Sequence, residues 1–187
     1  MDKSAGQRLA DSVWWNNPEL ATVLGLGPLL AASRTFEAGL ALGLATLVVL
    51  CTSSVLVSAV RHWLDPRVRL PAIILIIAAV VTAVDLLFQA QWFDLYSEVG
   101  LFVPLILTNS VLMARVGDIA VHRGIGSALR DSLVYGLGCT LLLAGLGALR
   151  AVLGQGLVIA TLPAGAFFLL AALVALRQLW PQRPALR

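Results

Sequence analysis

Asp85 stands inside the apolar run VTAVDLLFQ, an ionisable group at what reads as membrane depth. Burying its charge without a partner costs several kcal/mol, so such a residue marks either cation passage or a compensating contact. Counted from Pro71, it lies about 14 residues up a helix rising about 1.5 Å per residue, roughly 21 Å across a ~30 Å hydrocarbon core. At that depth it lines a cation path, reaches the outer interface, or pairs with Arg34 or Arg150. Cys51 and Cys139 sit singly in apolar runs, without CxxC spacing, and read as small buried hydrophobes. His62 and His122 fall in short basic stretches and read as solvated. The sequence holds no nucleophile–base pair, phosphate-cradling glycine loop or nicotinamide fingerprint. By itself the chain does no bond chemistry.

Backbone irregularity is the second chemical signal. GLGPLLAAS places Gly25, Gly27 and Pro28 in the middle of an apolar stretch. Proline there removes a backbone donor and clashes with the carbonyl four residues back, that of Leu24. GLFVPLILTNS repeats the theme, with Pro104 near its start and the polar triplet Thr108, Asn109, Ser110 at mid-membrane depth. Irregular backbone inside a bilayer is tolerated only where protein or a cavity satisfies it. The break at Gly27–Pro28 is therefore expected to face protein rather than lipid, whereas Pro104, closer to its helix start, is the weaker breaker.

The elements that hold these residues follow from composition. Of 187 residues, 59% are hydrophobic and 12% charged, which places the chain in the membrane class. Its mean hydropathy is +0.92. A net charge of +3 on so apolar a chain excludes a nucleic-acid partner. The N-terminus lacks the apolar core and small-residue cleavage site of a signal peptide. Six segments read as helices, at roughly 18–33, 38–60, 70–90, 99–114, 132–150 and 157–176, with the first and fourth short and interrupted. Asn17 and Pro18 form a start signal, Pro71 opens the third segment, and Pro163 lies near the start of the sixth.

With both termini on the cytoplasmic side, eleven of the thirteen lysines and arginines fall inside, leaving Arg34 and Arg150 outside. The stretch 91–98, read as an outer loop, carries Asp94 and Glu98 and no base. Trp14, Trp15, Trp63, Trp92 and Trp180 all fall at expected span ends, as interfacial anchors do. The chain thus reads as a single multi-pass membrane domain, residues 1–187, with both termini cytoplasmic.

The segments also repeat. GLGPLL in the first matches GLFVPLI in the fourth, LPAIILIIAAVVTAV in the third matches LPAGAFFLLAALVAL in the sixth, and LGLATL echoes LGCTLL in the second and fifth. Six spans with both ends inside make the halves inverted, the layout common among transport proteins. The expected fold is all-α: two inverted three-helix repeats, about 14–92 and 93–180, whose first and fourth helices are interrupted.

NNPELATVLGLGPLLAAS, RLPAIILIIAAVVTAVD, LYSEVGLFVPLILTNS, LRAVLG and LPAGAF occur in one order along the chain. In these motifs it resembles the RnfE/RsxE subunits and their NqrD relatives. Those are membrane subunits of the Rnf complex, an ion-translocating ferredoxin:NAD oxidoreductase, and of the sodium-pumping quinone reductase. The resemblance implies an RnfA-like sister of opposite orientation, further Rnf-type subunits, and coupling of electron transfer to Na+ or H+ movement. It also implies a 2Fe–2S cluster shared between sisters, each giving one cysteine at each break, in motifs that read GLCP and TNC. Here the matching residues are Gly27 and Ser110. Glycine offers no ligand atom, and a serine oxygen is a poor match for iron that such clusters hold through thiolates. Expected, then, is a membrane subunit of an Rnf-type complex with no cluster held through its own side chains. The competing readings are an NqrD-type subunit and a non-redox scaffold or transport protein that keeps the fold.

Orientation is directly testable. A reporter fused to the C-terminus should be active only in its cytoplasmic form; a periplasmic signal would overturn the span assignment.

Overall fold

The computed structural model describes residues 35–65, 67–117, 124–154 and 163–179. Among them the chain is helical. In order come α1 (Phe36–Val60), α2 (Arg69–Gln91), α3 (Phe93–Val99), two 3-10 turns (Gly100–Phe102 and Pro104–Thr108), α4 (Ser110–Arg115), α5 (Ile125–Leu153) and α6 (Pro163–Leu179). Three of these, α1, α2 and α5, are long and apolar enough to cross a membrane. The expected first segment, with Gly25, Gly27 and Pro28, lies outside the described residues, as does His122. His62 lies in the exposed turn after α1, where Arg61 Nε donates to its Nε2 at 3.2 Å.

α1 begins where Thr35 takes an extended conformation and its hydroxyl accepts from the Ala38 N–H at 3.1 Å, a side-chain cap on one orphan donor. Its 25 residues, at about 1.5 Å each, exceed the ~30 Å hydrocarbon thickness. α5 lies antiparallel against it, and glycine sets the spacing. A Cβ on Gly39 would stand 2.5 Å from the Leu143 carbonyl oxygen, and one on Gly147 2.5 Å from that of Thr35. A Cβ on Gly43 would stand 2.7 Å from the Thr140 Cα, and one on Gly136 3.0 Å from the Leu47 Cα. Lipid tails are as apolar as leucine, so no hydrophobic drive joins two such helices; close backbone approach and polar contacts do. Ser132 Oγ donates to Ser54 Oγ at 2.7 Å in the buried seam.

α2 packs on α1 and on the 3-10 turns, with Ile73, Ile77, Val80, Val81 and Val84 buried. The broken segment supplies its own apolar face to the same core through Val99, Val103 and Ile106. α6 rests on α5 through Ala166 and Leu170 against Leu142 and Leu146.

Two boundaries differ from expectation. Residues 93–99 form α3, not loop. Trp92 breaks helical geometry (φ −133°, ψ 62°), yet its N–H bonds Phe88 O at 3.0 Å and its C=O receives the Tyr96 N–H at 2.8 Å. α2 and α3 thus share Trp92 as a pivot, and Asp94 in the first turn of α3 suits the positive end of the helix dipole. α5 starts at Ile125, not near 132, because Arg130 and Asp131 extend the helix beyond its apolar part. Hydropathy marks hydrocarbon depth, not helix length.

Gly43→Leu should therefore lower stability by about 1–3 kcal/mol through forced overpacking. Gly145, also on α5 but with open space where a Cβ would go, serves as the control: Gly145→Ala should leave the midpoint unchanged or raised. Unfolding of the detergent-solubilised protein measures both.

Candidate functional site

The break in the second half of the chain is built one hydrogen bond at a time. Val103 N bonds Gly100 O at 3.3 Å, Ile106 N bonds Val103 O at 3.1 Å, and Asn109 N bonds Ile106 O at 3.1 Å, all tight 3-10 spacings. Pro104 stands at the start of the second turn, where its missing donor leaves no bond unmade. Asn109 then turns extended (φ −68°, ψ 106°), and its carbonyl accepts from Met113 N at 3.1 Å to restart the α-helix at Ser110. Thr108 is exposed and its hydroxyl donates to Leu105 O at 2.8 Å, whereas Asn109 is 1% exposed. The irregular residue is the one turned into protein.

What surrounds it is small and partly polar. Thr46 and Leu50 of α1, Asn109 and Leu112 of the broken segment, and Tyr135 and Cys139 of α5 enclose a cavity of about 10 Å³. That is about the volume one water needs, and Thr46, Asn109, Tyr135 and Cys139 supply polar atoms in its wall. The hydroxyl of Thr46 donates to Leu42 O at 2.8 Å and that of Thr140 to Gly136 O at 2.8 Å, so each helix contains its own polar group without asking the lipid for a partner. The Arg115 guanidinium sits 4.6 Å above the Tyr135 ring, tying the end of α4 to α5 by a cation–π contact worth about 0.5–2 kcal/mol.

Pro104, Thr108 and Asn109 lie together on the broken segment, and Ser110 opens the helix that follows. Cys139 is buried and lines the same cavity, a proximity that sequence spacing does not reveal because α5 crosses the break only in three dimensions. Cys51 is half-buried on α1 and does not line that cavity. Asp85 is half-buried on α2, away from the break cavity, with its Oδ1 shielded from solvent and bonded to no described group. Of its two expected ion-pair partners, Arg150 does not pair with it and Arg34 lies outside the described residues. Arg150 instead is 1% exposed near the end of α5, where a count of loop charges puts an outer base. A helix that runs to Leu153 keeps Arg150 one turn inside the protein. Among the described residues no group of three or more histidine, cysteine, aspartate or glutamate side chains could hold a metal ion.

Comparison with known proteins matches residues 6–174 to the family described as Rnf-Nqr subunit, membrane protein. The chain is 41% identical over 197 residues to the E subunit of the ion-translocating oxidoreductase complex of Thioalkalivibrio sulfidiphilus, covering 91% of this chain and 86% of the relative. It is 40% identical over 206 residues to the protein of the same name from Shewanella loihica, covering 93% and 89%. To that of Shewanella sp. strain ANA-3 it is 41% identical over 192 residues, covering 88% and 83%.

Proposed function

This chain belongs to the Rnf-Nqr family of membrane subunits, and from that premise we propose that it serves as the E-type membrane subunit of an Rnf-type ion-translocating oxidoreductase complex. The observation that carries this reading is the near full-length match to relatives named as the E subunits of such complexes, with Asn109 buried at the helix break where the family motif TNC reads Thr108-Asn109-Ser110. The same relatives favour this reading over a quinone-reductase subunit. Its partners are other subunits of that complex, with an RnfA-like sister across the two breaks.

The finer architecture we propose is six spans in two inverted repeats, both termini cytoplasmic, in the bacterial inner membrane. The α1–α5 pair supports it. These are the second and fifth segments, and they run antiparallel in close backbone contact, an arrangement compatible with a pseudo-two-fold axis between them. Within that frame Asp85 serves cation passage. With Arg150 engaged elsewhere, its half-shielded carboxylate is suited to a Na+ or H+ that arrives and leaves.

The residues present do not fit a cluster ligand set. Ser110 stands where a thiolate is needed, Gly27 has no donor atom, and Cys139 borders a cavity with room for about one water. The chain's role is therefore structural and ion-conducting rather than electron-carrying.

Two measurements test this reading. Purified with its native partners, the chain should copurify with ferredoxin- and flavin-bearing subunits; alone, it should show no 2Fe–2S absorption and no bound iron. Gly27→Cys with Ser110→Cys should raise the iron content, and a stoichiometric cluster in the unaltered lone chain would refute the ligand argument. Asp85→Asn should reduce ion pumping by the assembled complex without loss of assembly; an unchanged pumping rate would remove Asp85 from the path.

A further inference from the structure

The segment leading into the break carries a surface that neither the break cavity nor the Asp85 path uses. Phe93, Tyr96 and Ser97 of α3, with Gly100, Leu101 and Pro104 of the turns that follow, line an open groove of about 500 Å³. The Tyr96 ring forms part of its wall by lying against the bare Cα of Gly100; a Cβ there would stand 2.7 Å from the ring. Phe93 and Leu101 are 68% and 81% exposed, although both are large and apolar. Val99, on the other side of α3, is fully buried against the core.

Next in sequence to the lining residues Phe93 and Ser97 stand two acidic ones. Asp94 and Glu98 are four residues apart on α3 and so share one side of it; both are exposed, and 91–99 contains no base. An apolar groove with anionic neighbours is complementary to an apolar body with a cationic end. A phospholipid answers half of this description, because any amine it carries arrives with a phosphate, and no base in 91–99 receives an anion. A protein helix ending in lysine or arginine answers all of it. Basic residues are scarce on the outer side of membrane proteins, so a partner that carries one there is marked out from its neighbours.

We propose that this groove receives the outer end of a transmembrane helix from another protein of the complex, whose lysine or arginine pairs with Asp94 and Glu98. The proposal rests on the assembly reading given above. In the intact complex purified with its native partners, photo-reactive benzoylphenylalanine in place of Leu101 should cross-link to a peptide of another subunit in which an apolar run ends in lysine or arginine. Asp94→Lys with Glu98→Lys should lower the cross-link yield about tenfold, and reversing the partner's base to glutamate should restore it. An intact complex whose cross-link falls on lipid or on a second copy of this chain would overturn the docking proposal, as would a yield indifferent to the charge reversal. A chain that purifies without any other subunit would instead overturn the assembly reading, and the docking with it.

Discussion

Backbone touching backbone along α1 and α5 is the constraint from which the rest of the structure follows. Hydrocarbon surroundings give two apolar helices no reason to associate, so their adhesion depends on how closely the chains approach. Gly39, Gly43, Gly136 and Gly147 allow that approach, and the Ser54–Ser132 hydrogen bond fixes its register in the buried seam. Once the pair is locked, its surface offers a wall on which α2, the broken segment and α6 can rest.

The broken segment depends on that wall. A helix that changes from 3-10 to extended to α within ten residues leaves backbone groups that lipid cannot satisfy. Here Asn109 is enclosed by α1 and α5, while Val103, Ile106 and Leu112 fill the core around it. A continuous helix in this place would need no such enclosure. The break therefore implies the pair, and the pair makes the break tolerable.

Much of this is legible in the sequence. Continuous apolar runs locate α1 and α2 to within two residues, because a span's hydropathy and its helix coincide when charges flank it closely. The polar triplet Thr108 to Ser110 in an apolar run points to the irregular residue. Helical order in 93–99 is hidden, since acidic residues in a polar stretch resemble loop until Leu95 and Val99 are seen to share a face. Burial of Arg150 is also hidden, because a charge count assigns bases to loops without knowing that the helix continues beyond them. The placement of Cys139 beside Asn109 depends on which helices cross, and composition carries no record of that.

Antiparallel packing also has an electrical consequence. A lone membrane-spanning helix behaves as about half a charge at each end, and a transmembrane voltage acts on a full charge with about 2.3 kcal/mol per 100 mV. α1 and α5 oppose their dipoles over most of their length, so the field's pull on one is cancelled by its push on the other. The backbone dipoles of this tightly joined pair thus give little net response to voltage. What membrane potential can act on is instead the charged side chains the helices carry, such as Arg150 on α5.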